Sequence, residues 1–145
     1  MQTILVPTDF STHSEKALEV AKRLAKLSGG KIHLLHCYQI NVGGISPYGV
    51  TVPEELNREV RDAAAKRIAD LEQKVAGEGI AVESHVTPSY PSEAVSDLAK
   101  ELGTDVIVMG TRGATGLKHI LLGSVAERTL RIAPCPVLTV KETDA

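Results

Sequence analysis

Short, continuously apolar runs alternate along the chain with stretches whose apolar residues recur every three or four positions. "TILVP" (Thr3 to Pro7) is the first such run, closed by Pro7, Thr8 and Asp9. Ala17, Leu18, Ala21, Leu24 and Ala25 then mark one face of a helix. Thr12 with Glu15 three residues on predicts a capping box at its start, and Gly29-Gly30 predicts its end. "KIHLLHCY" (Lys31 to Tyr38) reads as a second strand. A loop from Gln39 to Val52 carries Gly43, Gly44, Pro47 and Gly49, and its length marks it as mobile or functional.

Pro53 opens the longest predicted helix, with the stripe Leu56, Val60, Ala64, Ile68, Leu71 and Val75, ending at Gly77 and Gly79. "AVESHVT" (Ala81 to Thr87) alternates, as a strand near a sheet edge does, and Pro91 sits in the first turn of a helix bearing Ala94, Val95, Leu98 and Leu102. "DVIVMG" (Asp105 to Gly110) is continuously apolar, the pattern of a central strand covered on both faces. A helix from Ser124 to about Ile132, the strand "CPVLTV" and a polar tail from Lys141 complete the chain.

Strands separated by helix-length crossovers call for an α/β fold, a parallel five-stranded sheet with helices on both faces. Without repeats or linkers, residues 1–145 are expected to form a single doubly wound domain. Loop chemistry suggests the strand order. In an open parallel sheet a ligand lies beyond the carboxyl ends of the strands, where the winding reverses. The loop after the third strand, "PSYPSE", has neither glycine nor a basic residue, whereas the glycine-rich stretch follows the fourth. Order 3-2-1-4-5 is therefore expected, with "PTDFST" and "GTRGATGLKH" facing each other across the crevice.

Composition narrows the function. With 43% hydrophobic and 23% charged residues the chain is of ordinary globular type. A net charge of −2 offers no general attraction to nucleic acid or to an anionic membrane, so any anion site must be local. The opening "MQTILVPTDF" lacks a signal-peptide pattern, and no apolar run approaches the roughly 20 residues that span a bilayer. A cytoplasmic protein is expected. Cys37 and Cys135, both in segments read as buried strands, are expected to be isolated thiols.

The stretch "MGTRGATGLKHILLGSVAERTL" (Met109 to Leu130) holds four glycines, with Arg112, Lys118 and His119 among them. Gly110 and Gly113 would let the backbone approach a phosphate and adopt positive φ where needed. Gly123-Ser124 opens the last helix and aims free amides and the positive dipole end at the same place. Ser124 could both cap that helix and donate its hydroxyl to a phosphate oxygen. Any one of these glycines could simply turn the chain, and Ser124 could be only a cap; several features converging on one place favour an anion. Neither a G-x-x-x-x-G-K-[ST] loop nor a G-x-G-x-x-G turn after the first strand is present, which excludes the usual P-loop and dinucleotide fingerprints.

Gly110, Gly113, Gly123 and Ser124 instead satisfy G-x2-G-x9-G-[ST]. With "ILVPTDFS", "LLHC", "DVIVMGTRG" and "LLGSVAERTLRIAPCPVLTV" around that spacing, the chain resembles the ATP-binding branch of the universal stress protein family over essentially its whole length. The resemblance implies an ATP-binding fold that commonly forms a homodimer through the last strand. Carried over by position, Pro7, Thr8 and Asp9 would line the adenosine side, with Asp9 near the adenine and ribose. Cys37 would meet the adenine through its backbone; the family often has valine there. Met109 and Gly110 would lie against the ribose, and Arg112, Gly113, Gly123, Ser124 and Val125 would surround the phosphates. Mg²⁺ or Mn²⁺ would ride on the phosphates, with no protein metal ligands.

Asp9 could alternatively act as a base or metal ligand, but no second carboxylate is apparent to hold metal or orient water for phosphoryl transfer. His13, His33, His36, His85 and His119 show no metal-binding spacing, and His36 is expected to be structural. Lys22 to Lys26 and the Arg61, Asp62, Lys66, Arg67 group read as solvated faces without interleaved aromatics. The expectation is a nucleotide-dependent regulatory protein of the stress response with no catalytic residues, its protein partners unknown. A slow ATP hydrolase or phosphotransferase using the same site is the alternative. A non-nucleotide interaction module is disfavoured by the intact motif.

Overall fold

A computed structural model of the chain describes residues 2–39, 54–112 and 122–142. Its elements alternate as β1 (Thr3–Pro7), α1 (Thr12–Ser28), β2 (Lys31–Cys37), α2 (Glu54–Ala76), β3 (Val82–Thr87), α3 (Pro91–Leu102), β4 (Val106–Gly110), α4 (Ser124–Ile132) and β5 (Val137–Val140). The strands form one sheet in the order β3-β2-β1-β4-β5, and every pairing is parallel. The expected order 3-2-1-4-5 is the observed one.

The pleat sends alternate residues to opposite faces, and both are covered. Ile4, Val6, Ile32, Leu34, Val106 and Val108 pack with Ala17, Leu18, Ala21 and Ala25 of α1 and with Ile68 and Val75 of α2. Leu5, Leu35, Ile107 and Met109 pack with Ala94, Val95 and Ala99 of α3 and Ala126 of α4. Two-sided burial is why β1 and β4 are apolar at consecutive positions, and each fully buried Ile, Leu or Val contributes about 1.5–3 kcal/mol. β3, at one edge, is only half-buried, as its alternation implies.

Several boundaries differ from expectation for local reasons. Ser11, not Thr12, is the N-cap of α1; its hydroxyl accepts the Ser14 amide at 3.3 Å, so the cap sits one residue earlier than the Thr12–Glu15 pattern suggests. Gly29 ends the helix in the left-handed conformation at φ 71°, as expected of a C-cap glycine. In α2 only Ala64, Ile68 and Val75 are buried; Leu56 is 45% exposed although it lies on the predicted stripe. Cys135 falls in the turn before β5 rather than in a strand, and both cysteines are free and only half-buried. The Gln39–Val52 loop, except Gln39, lies outside the described residues, as do Gly113, Gly116, Lys118 and His119. Among the described residues no helix is long and apolar enough to cross a membrane.

Candidate functional site

The β1–β4 ladder runs through Ile4–Val106 and Leu5–Ile107 and stops there, two residues short of the end of β1 and three short of the end of β4. α1 and α3 follow β1 and β3 on opposite faces, so the winding reverses between β1 and β4. The crevice therefore opens at the topological switch point.

Thr8 braces the β1 side. Its amide donates to the Leu35 carbonyl at 2.8 Å, tying the loop to β2. Its hydroxyl donates to Ser14 Oγ at 3.1 Å and accepts the Phe10 amide at 3.0 Å. Its carbonyl lies 2.9 Å from Nδ1 of His36, and since a carbonyl only accepts, that nitrogen carries the proton. His36 thus has the structural part expected of it, in a place the sequence did not indicate. Asp9 is exposed and accepts the Ser11 amide through Oδ1 at 3.0 Å, an Asx turn leading into α1.

Phe10, between them, has φ 64°, the one non-glycine residue in the left-handed region among those described. Its ring packs on His36 with centroids 4.6 Å apart, and the Arg67 guanidinium lies 4.2 Å above it. Tertiary contacts hold the strained backbone, a combination common at ligand clamps. The grouping of Phe10, His36 and Arg67 was not read from sequence, because their contacts join three separate elements.

On the β4 side Met109 is buried against α3 and α4, while Gly110 turns to the α1 face. A Cβ on Gly110 would come within 2.9 Å of the His13 carbonyl oxygen and 3.0 Å of its carbon. Gly110 therefore lets the first turn of α1 close against β4, and it does so without a positive φ. His13 Nδ1 is 3.0 Å from Glu142 Oε2, a separation of ion-pair range without hydrogen-bond alignment. Arg112 is half-buried just beyond the strand.

α4 is aimed by its neighbours. The Gly123 amide donates to the Thr111 carbonyl at 2.6 Å, and Arg128 Nε bonds Glu93 Oε1 of α3 at 2.6 Å. Ser96 Oγ donates to the Ile132 carbonyl at the far end of the helix, at 3.0 Å. Gly123, not Ser124, is the N-cap, with φ −72° and ψ 166°; Ser124 is the first helical residue. The first intrahelical bond runs from Glu127 to Gly123, so the amides of Ser124, Val125 and Ala126 precede it. No side chain among the described residues caps them. Three adjacent donors and the positive helix end fit an anionic group.

Cys37 closes β2 on the same carboxyl edge. Burial pushes its thiol up to about 11, so the side chain is a neutral apolar neighbour rather than a nucleophile at neutral pH. Pro7, Thr8, Asp9, Cys37, Met109, Gly110 and Arg112 lie at strand ends or in the loops beyond them, and Gly123, Ser124 and Val125 form the cap and first residues of α4, at the carboxyl side of the sheet. Gly113, the remaining predicted site residue, is outside the described residues.

Residues 1–141 match the family model described as the universal stress protein family. The chain is 35% identical to universal stress protein YxiE of Bacillus subtilis, covering 95% of this chain and 97% of that one. It superposes on protein MJ0577 of Methanocaldococcus jannaschii with TM-score 0.85 at 30% identity, over 99% and 98% of the two chains. The universal stress protein of Archaeoglobus fulgidus in complex with dAMP gives TM-score 0.62 at 25% identity, over 97% and 98%.

Proposed function

The chain belongs to the universal stress protein family, and from that premise we propose that it is an ATP-binding regulatory protein of the stress response. Its single domain, residues 1–145, would hold the nucleotide between the loops after β1 and β4. The observation that carries this reading is the start of α4, where the amides of Ser124, Val125 and Ala126 stand uncapped by any described side chain beside the opened β1–β4 ladder. A triphosphate supplies the negative charge such a terminus favours. The A. fulgidus relative's complex with dAMP supports an adenine nucleotide as the ligand class.

In this reading Pro7, Thr8 and Asp9 line the adenosine side, with Asp9 near the adenine and ribose. The Cys37 backbone meets the adenine. Met109 and Gly110 lie along the ribose, and Arg112, Gly113, Gly123, Ser124 and Val125 surround the phosphates. Mg²⁺ or Mn²⁺ enters on the phosphates and shields their charge. The rigid, bonded Thr8 and the aimed α4 hold a ligand in place, and occupancy would alter the surface offered to partners.

Pairing through β5 in a homodimer suits an edge strand whose Leu138 is 40% exposed. The reading places the protein in the cytoplasm, and the small net charge of −2 accords with neither nucleic acid nor membrane as partner. Titration of nucleotide-free protein with ATP and Mg²⁺ tests the reading: saturable binding of one nucleotide per chain is expected, and its absence would refute it.

A further inference from the structure

Away from this site, on the side of the sheet facing α3 and α4, three potential metal ligands converge where β2 meets the edge strand β3. His33 and Glu83 are register partners across the β2–β3 ladder, and His85 follows Glu83 by two residues, on the same face. His33 Nδ1 lies 3.0 Å from His85 Nε2 and 3.8 Å from Glu83 Oε2. One donor atom from each residue can be chosen so that all three fall within 4.8 Å of one another. From this arrangement we infer that His33, His85 and Glu83 form a binding site for a zinc-type divalent transition ion, cross-linking β2 to β3.

The donor set and spacing both suit such an ion. Metal–nitrogen and metal–oxygen bonds near 2.0–2.2 Å in a tetrahedral site put neighbouring donors about 3.4 Å apart. The observed 3.0 and 3.8 Å lie on either side of that value, so small side-chain rotations bring the atoms to it. Two imidazoles and a carboxylate select zinc, cobalt or nickel over magnesium, which prefers oxygen. His33 is anchored, its side chain 8% exposed, whereas His85 is half-buried and Glu83 exposed, leaving an approach from solvent. α3 packs on β1 and β2, on the inner side of the cluster.

A single proton lies between the two ring nitrogens in their hydrogen bond; for both to ligate, the donating ring takes the tautomer with its proton on the other nitrogen, so that each neutral imidazole offers one lone pair to the ion. Glu83 is also held by the Lys31 ammonium at 3.0 Å. The lysine is therefore a competitor for the carboxylate, and its 43% exposed side chain can swing into solvent. The sequence did not reveal this cluster because His33 and His85 are brought together only by the β2–β3 register.

The test is calorimetric titration of untagged, nucleotide-free full-length protein with zinc chloride, repeated with cobalt(II) followed by absorption. One ion per chain is expected, with a rise in melting temperature from binding to the folded state. His85→Gln and Glu83→Gln, both at the sheet edge, should weaken binding tenfold or more while circular dichroism stays unchanged. Lys31→Met should tighten it several-fold by releasing Glu83. Failure to bind zinc more tightly than about 0.1 mM, or equal affinity in wild type and His85→Gln, would overturn the site. Unchanged affinity in both Glu83→Gln and Lys31→Met would overturn it as a three-ligand site. Because no nucleotide is present, none of these results bears on the ATP reading.

Discussion

The amide of Gly123 donates to the carbonyl of Thr111 at 2.6 Å, so the residue that caps α4 is fastened to the chain leaving β4. That bond occupies one amide at the helix start and fixes the direction of the next three. Gly123 itself has φ −72° and ψ 166°, extended backbone that any residue adopts. Its lack of a side chain is therefore not needed for the local conformation. Gly123→Val should leave the melting temperature within a few degrees of wild type, yet lower ATP affinity at least tenfold by filling the phosphate approach. Melting curves and calorimetric titration read the two effects separately.

Gly110 should behave in the opposite way. An added Cβ meets the His13 backbone at 2.9–3.0 Å, and backbone cannot rotate aside as a side chain can. Gly110→Ala should destabilise the fold by about 1–3 kcal/mol, the usual cost of overpacking. Denaturant titration checks this; an unchanged midpoint would show that α1 moves away freely.

Much of the architecture was legible because the apolar runs declare two-sided burial. The continuous run of β4 placed it inside the sheet, and the glycines after β4 indicated where the winding turns. Less could be read where two residues compete locally, as Ser11 and Thr12 do for the cap of α1. Leu56 fits the helical period of α2 but is exposed, since periodicity defines a face without saying how far its cover extends. At the candidate site, the G-x2-G-x9-G-[ST] spacing located α4 and β4. The bracing of Thr8 by Leu35 and His36, by contrast, depends on the β1–β2 register and left no signal in the spacing.

Cys37 provides a probe of the adenine side. With its thiol raised to about 11 by burial, only roughly a thousandth of it is thiolate at pH 8. In a Cys135→Ser background, alkylation should be slow near neutrality and accelerate up to that pH. Saturating ATP should slow it further. Equal rates with and without nucleotide would count against contact at the end of β2.

Asp105 ties the starts of β1 and β4 together, its Oδ2 accepting the amides of Gln2 at 2.7 Å and Thr3 at 2.9 Å. These two bonds hold its carboxyl below the ordinary 3.8. A depressed carboxyl stabilises the fold above its unfolded value and loses that contribution as pH falls through the folded value. Asp105→Asn should therefore melt lower than wild type at pH 7, and the gap should begin to close below about pH 4. Melting temperatures of both proteins from pH 7 to pH 2.5 provide the check; a constant gap would remove the carboxylate's charge from the account.

Asp9, the predicted site carboxylate on the β1 loop, is engaged with the Ser11 amide. A regulatory site should accordingly turn over ATP far more slowly than about 1 s⁻¹, the low end of ordinary enzymes. ADP release with Mg²⁺ measures this, and a rate of that order or faster would make the protein a hydrolase.

The most direct test of the central claim is calorimetric titration of nucleotide-free wild type and Gly123→Val with ATP and Mg²⁺. Saturable binding of one ATP per wild-type chain, lost or weakened at least tenfold in the folded variant, is the result predicted. No binding to wild type, or equal affinity in both proteins, would contradict a phosphate site at the start of α4.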